Sequence, residues 1–403
     1  MFNKMPGAPR QGLATSTPPF TAVLFAAATL LCAAAALLAS PGARAQEVLI
    51  GQVASQTNLV TGANGKGMFV GINAYLASVN AAGGVNGKQI KLLNKDDDAK
   101  GPKMVEFTQE YIANKDVVAL LGYVNTGGLT EIVKKNLLGE GGIALVAPLQ
   151  GDKAIVGADN FFPFRSGYPD EVAALVKEAA GTQKKRVVFA WFNVTFGPAM
   201  QALAEEEAKK IGLSVTSVKI DAQAPPAKLG EVVKQVAADI AKAQPDAVIM
   251  LTSSKYVAEI TRELNSTPAA GVQIYAMSVV WADDIVKAVG EEKARGAVIA
   301  QAVPFPYSAT LPFVGEYQRA MKQFAPNEPL SFPTLEGYAA AKIMVEGIKR
   351  AGANPTREKV LKALYGMGEF NLGGAYVDYS TRARRGWGSV DLSIIGPKGR
   401  MMR

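Results

Sequence analysis

Residues 117–150 read VVALLGYVNTGGLTEIVKKNLLGEGGIALVAPLQ. The opening run, 117–121, is apolar at every position and too short for a helix, which is the pattern of a strand buried on both faces. Gly127 and Gly128 lead into 129–138, where Leu129, Ile132, Val133 and Leu137 recur at helical spacing. A second apolar run follows at 143–146. Strand, helix and strand in this order make a parallel crossover rather than a hairpin. The stretch therefore predicts an α/β fold whose parallel sheet carries helices on both faces.

The same alternation extends in both directions. Upstream, 48–53 and 90–94 read as strands, and 67–81 and 103–114 as helices. Gly83-Gly84 closes the first of these helices, and Asn86-Gly87 turns the chain into the second strand. Downstream the pattern restarts. Helices at 169–180, 198–211, 229–243 and 255–264 alternate with strands at 186–191, 213–220, 247–251 and 273–277. Two successive α/β units imply two lobes, with 161–168 as the first crossing between them. After Val303 the prolines Pro304, Pro306 and Pro312 break the rhythm. Helices then dominate, at 314–324, 335–351 and 356–364, before a strand at 390–395. These late helices have no sheet of their own to cover, so they are expected to return to the first lobe. The expected division is 46–165 with 304–375 for lobe 1, and 166–303 with 376–403 for lobe 2.

Composition removes several function classes. The chain has no histidine, which excludes Ser-His-Asp and Cys-His catalysis and takes away the commonest transition-metal ligand. Its one cysteine, Cys32, lies in an apolar run at 21–39. That run follows a basic start at Lys4 and Arg10 and precedes Ala43-Arg44-Ala45, so residues 1–45 read as a signal peptide cleaved after Ala45. A membrane anchor is the other reading of 21–39. The adjoining A-x-A site, and the lack of a positive cluster behind it, favour cleavage. Leu31 is too large for the residue that precedes a lipoprotein cysteine. The exported chain would then hold no cysteine, and it is too long for a single core. The formal charge of +8 falls once Lys4, Arg10 and Arg44 leave with the leader, and the remainder is spread along the chain. No nucleic-acid partner is expected. Arg382, Arg384 and Arg385, the densest basic group, read as a solvated loop.

Several short stretches stand in a fixed order: Ile50-Gly51-Gln52, NAAGGVNGK at 80–88, Asp96-Asp97-Asp98, LGYVNT at 121–126, PDAV at 245–248 and LEGY at 335–338. Together they resemble the periplasmic leucine/isoleucine/valine-binding protein family, the type I solute receptors of ABC importers. The resemblance covers essentially the whole chain after the leader. It implies a type I periplasmic-binding-protein fold, with two Rossmann-like lobes, three hinge crossings and a ligand in the cleft. It also implies a periplasmic monomer that delivers a solute to an inner-membrane ABC permease, without catalysis, cofactor or metal.

The resemblance also implies a site. The family holds the ligand carboxylate with a hydroxyl residue and backbone N–H groups, and Thr126, preceded by Asn125, falls at that place. The stretch after the fourth strand is Pro148-Leu149-Gln150-Gly151, where Leu149, Gln150 and Gly151 are expected to reach the ligand, with Gln150 replacing a hydroxyl. Phe196, before Gly197, matches an aromatic that covers the ligand. Ser253 stands where the family has a second aromatic. Trp281 lies in a loop after a strand, and Tyr168 either lines the pocket or packs at the hinge. The family's ammonium-binding acid aligns with Val280. An aromatic or aliphatic carboxylate, or an amide, therefore fits better than a standard amino acid. Asp170, Glu171 and Asp283 are the acids that would keep an amino acid open as the ligand.

Other features have plainer readings. Gly62-Ala63-Asn64-Gly65-Lys66-Gly67 lacks the first glycine and the Ser/Thr of a phosphate loop, and reads as a flexible cleft-rim loop. Asp96, Asp97 and Asp98 alternate in direction along an extended segment. They read as a solvated strand end capping the next helix rather than a cation site. Trp191 and Phe192 are divided between core and pocket. A sensor domain feeding a signalling partner is the first alternative function, and a carboxylate-pair enzyme on an α/β scaffold is the second.

Overall fold

A computed structural model describes residues 1–2, 7, 47–58, 61–193, 197–221, 224–381 and 384–403. The leader and its cleavage site lie outside these residues, as do Phe196 and Arg382. Among the described residues no helix is long and apolar enough to cross a membrane.

The first half of the chain builds one sheet. It comprises β1 (Glu47–Val53), α1 (Gly62–Ala81), β2 (Gln89–Lys95), α2 (Gly101–Ala113), β3 (Val117–Leu121), α3 (Thr126–Lys134), α4 (Leu137–Gly141), β4 (Leu145–Val146), α5 (Lys153–Val156) and β5 (Phe161–Phe162). Its five strands run parallel in the order β2-β1-β3-β4-β5. The second half continues with α6 (Tyr168–Gly181), β6 (Arg186–Phe192), α7 (Gly197–Lys210), β7 (Ser214–Ile220), α8 (Leu229–Lys242), β8 (Ala247–Leu251), α9 (Ser254–Leu264) and β9 (Gln273–Ala276). Then come α10 (Ala282–Val289), α11 (Glu291–Ala294) and β10 (Val298–Gln301). Here the parallel order is β7-β6-β8-β9-β10, the same pattern as in the first sheet.

The remaining elements are α12 (Pro312–Phe324), α13 (Phe332–Arg350), α14 (Arg357–Tyr365), β11 (Glu369–Asn371), β12 (Tyr376–Asp378), β13 (Asp391–Ile395) and β14 (Met401–Met402). The helices return to the first sheet. Phe313, Tyr317, Tyr338 and Met344 pack with Ile50, Met68 and Ile72 of that core, and Val377 and Tyr379 join them. Tyr379 Oη donates to Pro163 O at 2.8 Å. The chain then enters the second sheet at Asp391, where β13 runs antiparallel to β10. It thus passes between the two sheets three times: after β5, after β10 and after Tyr379.

The structure corrects three readings. The glycine-rich stretch at 62–67 is the first turn and a half of α1, not a rim loop. Its glycines allow contact rather than flexibility: a Cβ on Gly65 would sit 1.8 Å from Ser55 O. The helix expected over 129–138 is two, because Asn136 takes a left-handed conformation (φ 48°) between α3 and α4. Arg384 is buried, not solvated. Its Nη2 donates to Gly157 O and Ala158 O at 3.1 and 2.6 Å, tying the third crossing to the loop before β5. The strands β5 and β10 are too short to show a period in sequence.

Helix α13 starts at a reciprocal cap. Ser331 Oγ accepts from Thr334 N, and Thr334 Oγ1 accepts from Ser331 N. It packs so closely on α1 that a Cβ on Gly71 would lie 1.9 Å from Thr334 O. Gly71→Ala is expected to destabilise the protein by about 1–3 kcal/mol in urea denaturation, since backbone must move. Gly230→Ala, in α8 with open space around it, should instead stabilise by about 0.4–1 kcal/mol.

Candidate functional site

A cavity of about 330 Å³ lies between the carboxyl ends of the two sheets. In each sheet the strand order reverses once, between β1 and β3 and between β6 and β8. Loops diverge there and leave a crevice, the usual ligand position in open α/β sheets. Ser55, Val124, Asn125, Thr126 and Gly127 line the cavity from the first reversal point, and Phe192, Leu251, Thr252 and Ser253 from the second. Leu149, Tyr168, Met277 and Val279 add apolar wall, while Thr61 and Asn64 reach in from α1 and the residue before it.

On the first side, Asn125 caps α3. Its Oδ1 accepts from Gly128 N at 3.1 Å, and its Nδ2 donates to Asp97 Oδ2 at 2.8 Å. Asp97 is fully buried. Its Oδ1 accepts from Ser55 Oγ at 2.7 Å and from Ala99 N at 3.1 Å. Burial pushes this carboxyl above its ordinary value, against the pull of those hydrogen bonds. Asp97 therefore joins the loops after β1, β2 and β3 into one rigid floor. The acidic triplet is not a solvated helix cap, as its sequence suggested. The residue that caps α2 is Lys100, without a side-chain hydrogen bond.

Thr126 is held from behind. Gln150 Nε2 donates to Thr126 Oγ1 at 3.0 Å, and Gln150 Oε1 accepts from Asp152 N at 2.9 Å. With one lone pair engaged, the Thr126 hydroxyl keeps its hydrogen to donate elsewhere. Gln150 itself is buried and does not line the cavity; its amide orients the residue that does. Gly151 also stands outside the lining, its O accepting from Tyr168 N at 2.9 Å. A Cβ there would strike the Tyr168 ring at 2.6 Å, so this glycine lets Tyr168 approach.

On the second side, Thr252 Oγ1 and Ser253 Oγ are buried without a hydrogen-bond partner. Ser253 is the N-cap of α9 yet makes no capping bond with its side chain. Buried polar atoms are ordinarily satisfied, so hydroxyls without a protein partner beside a cavity suit it to a polar ligand. Trp281 lies off the cavity. Its Nε1 donates to Asn64 Oδ1 at 2.7 Å, and Asn64 Nδ2 donates to Val279 O at 3.2 Å. One asparagine of α1 thus bridges to the loop after β9. Val280 points into the second core; its neighbour Val279 faces the cavity.

Of the residues expected from sequence, the structure brings Asn125, Thr126, Leu149, Tyr168 and Ser253 together around the cavity. Gln150, Gly151 and Trp281 support it from outside, and Phe196 falls outside the described residues. Sequence reasoning missed Ser55, Asn64, Thr252, Met277 and Val279. Each lies just beyond the end of a strand or on the first turn of a helix, and that position was the available signal.

Behind Tyr168 lies a buried charge cluster that spans the first crossing. Arg165 Nη2 meets Glu171 Oε1 at 3.4 Å and donates to Ser278 Oγ, while Arg165 Nη1 lies 3.8 Å from Glu336 Oε2. Glu171 also accepts from Ser278 N and Oγ, both at 2.9 Å. The participants come from the crossing itself, from α6, from the loop after β9 and from α13. Burial pushes Glu336 up to about 7, opposed by Arg165 and reinforced by Glu171. The Tyr168 hydroxyl, pushed up to about 12 by burial, stays protonated.

The periplasmic binding protein family matches residues 47–394. A Leu/Ile/Val-binding protein homolog from Brucella melitensis is 26% identical over 341 residues, covering 82% of this chain and 86% of that protein. An extracellular ligand-binding receptor from Verminephrobacter eiseniae shares the fold with a TM-score of 0.81 at 24% identity, covering 89% of this chain and all of that one. A fatty acid ABC transporter substrate-binding protein from Thermomonospora curvata has a TM-score of 0.78 at 19% identity, covering 90% and 92% of the two chains.

The folded state holds the Glu336 proton more tightly than an unfolded chain, whose glutamates titrate near 4.5. Its contribution to stability is therefore full below pH 4.5 and is lost as pH rises through about 7. Glu336→Gln should flatten the fall in melting temperature between those values, as measured by thermal denaturation across pH.

Proposed function

The chain belongs to the periplasmic binding protein family, and from that premise we propose that it is the solute-binding component of an ABC importer, taking a small organic solute between its lobes. The observation that carries this reading is the cavity between the two reversal points, with hydroxyls from the second lobe left unpaired. The solute is an amino acid or a related small carboxylate or amide, bound and released unchanged. A leader cleaved after Ala45 exports the chain to the periplasm, and an inner-membrane permease receives the closed form.

The mechanism follows from where the contacts lie. Thr126 and the first N–H groups of α3 belong to one lobe, and Thr252 and Ser253 to the other. A solute touching both sets gains more from the closed arrangement than from an open one, and that difference in affinity drives closure. Asn64 adds a ligand-independent latch through Trp281 and Val279. It biases the lobes toward closure without filling the cavity.

Two outcomes test this. Thr126→Ala should weaken solute binding by about 1–3 kcal/mol in titration calorimetry, through loss of the hydroxyl that Gln150 orients. Unchanged affinity would remove Thr126 from the site. Asn64→Ala should shift the lobes toward the open form, seen as a larger radius of gyration in solution scattering without solute. It should also weaken apparent affinity by about 1 kcal/mol.

A further inference from the structure

The cavity walls name the charge of the solute. Among the described residues that line it there is no Asp, Glu, Lys or Arg. Residues 59–60, 194–196 and 222–223 carry no ionisable side chain either. Two acids bonded to lining residues or their neighbours are already engaged. Asp97 spends both oxygens on Ser55, Ala99 and Asn125, and Asp284 reaches α9 through Ser254 Oγ at 2.5 Å. Glu171, on the far side of Tyr168, is committed to Arg165 and Ser278. An ammonium group closed into this cavity would lose its water and meet no free carboxylate, an arrangement strongly disfavoured in a protein interior.

A carboxylate fares differently. Helices α3 and α9 begin at the cavity from opposite lobes, and neither has an acidic residue in its first turn. Each therefore presents unpaired N–H groups and a partial positive end. Thr252, only 4% exposed, lines the same space, and its hydroxyl has no partner within the protein. The remaining wall is apolar: Val124, Leu149, Phe192, Leu251, Met277 and Val279. The volume of about 330 Å³ lies at the small end of ligand cavities.

We infer that the solute is an organic acid without an amino group, an apolar aliphatic or aromatic body carrying only negative charge. This rests on the solute-binding reading above. It departs from the amino-acid ligand in the name of the Brucella relative. Val279 is a cavity-facing residue of the second lobe at which a carboxylate could be introduced to meet an ammonium.

Matched pairs test it. The protein is titrated with 4-methylpentanoate against leucine, and with 3-phenylpropanoate against phenylalanine, each acid being its partner without the amino group. At least one acid should bind, about tenfold or more tighter than its amino-acid counterpart. Thr252→Val should weaken that acid about tenfold. Val279→Asp should reverse the preference within the pair, which a merely destabilised protein would not do. Tighter binding of leucine or phenylalanine than of its amine-free partner overturns the inference and leaves solute binding intact. So does closure on a solute that carries an amino group, seen by scattering, when neither acid binds. If no small molecule closes the lobes at all, the solute-binding reading falls with it.

Discussion

Two sheets with the same strand order face one another across a cavity, and each meets it at the point where its order reverses. Right-handed crossovers put connections that step in opposite directions along a parallel sheet on opposite faces, so at the reversal point neighbouring loops turn away from each other. The space between them cannot be filled by the sheet's own chain. Each lobe supplies half of such a space, so the site exists only where the two carboxyl edges are brought together. Ser55 and Asn125 on one side, and Thr252 and Ser253 on the other, follow from this constraint.

The polar groups around the cavity differ in what they are free to do. Asp97 fastens three loops of the first lobe by accepting from Ser55, Ala99 and Asn125. Gln150 fixes Thr126. The first lobe thus offers a floor whose donors are already aimed. Thr61 of the first lobe and Thr252 and Ser253 of the second hold hydroxyls without a protein partner. The Arg165 cluster lies where the chain first crosses between lobes, so any relative movement must keep a guanidinium and two carboxylates paired out of water. Breaking such a cluster costs far more than its formation contributes, which confines the motion to paths that preserve it.

Most of the fold was legible in sequence because period and breaker residues act locally. The runs at 117–121 and 247–251 coincide with β3 and β8, and the return of 314–364 to the first core followed from helices with no sheet to cover. Glycine misled where it served contact instead of flexibility, as at Gly65. Arg384 misled because a guanidinium can be buried when backbone carbonyls receive it, as those of Gly157 and Ala158 do here. Of the site, Asn125 and Thr126 were visible as the polar opening of a helix after a buried strand. Thr252 and Val279 were marked only by their place just beyond the end of a strand.

The sequence by itself determined the doubled α/β pattern, the late return to the first lobe, and the exclusion of histidine chemistry. These depend on composition and on the spacing of neighbours. Only the tertiary structure decided that Asp97 is an internal strut, that Gln150 acts through Thr126, that Trp281 belongs to a latch with Asn64, and that Val279 and not Val280 faces the cavity. Those facts depend on side-chain direction and on atoms up to 217 residues apart in the chain meeting at hydrogen-bond distance. A strand's alternation leaves direction ambiguous by one residue wherever the strand gives way to a loop.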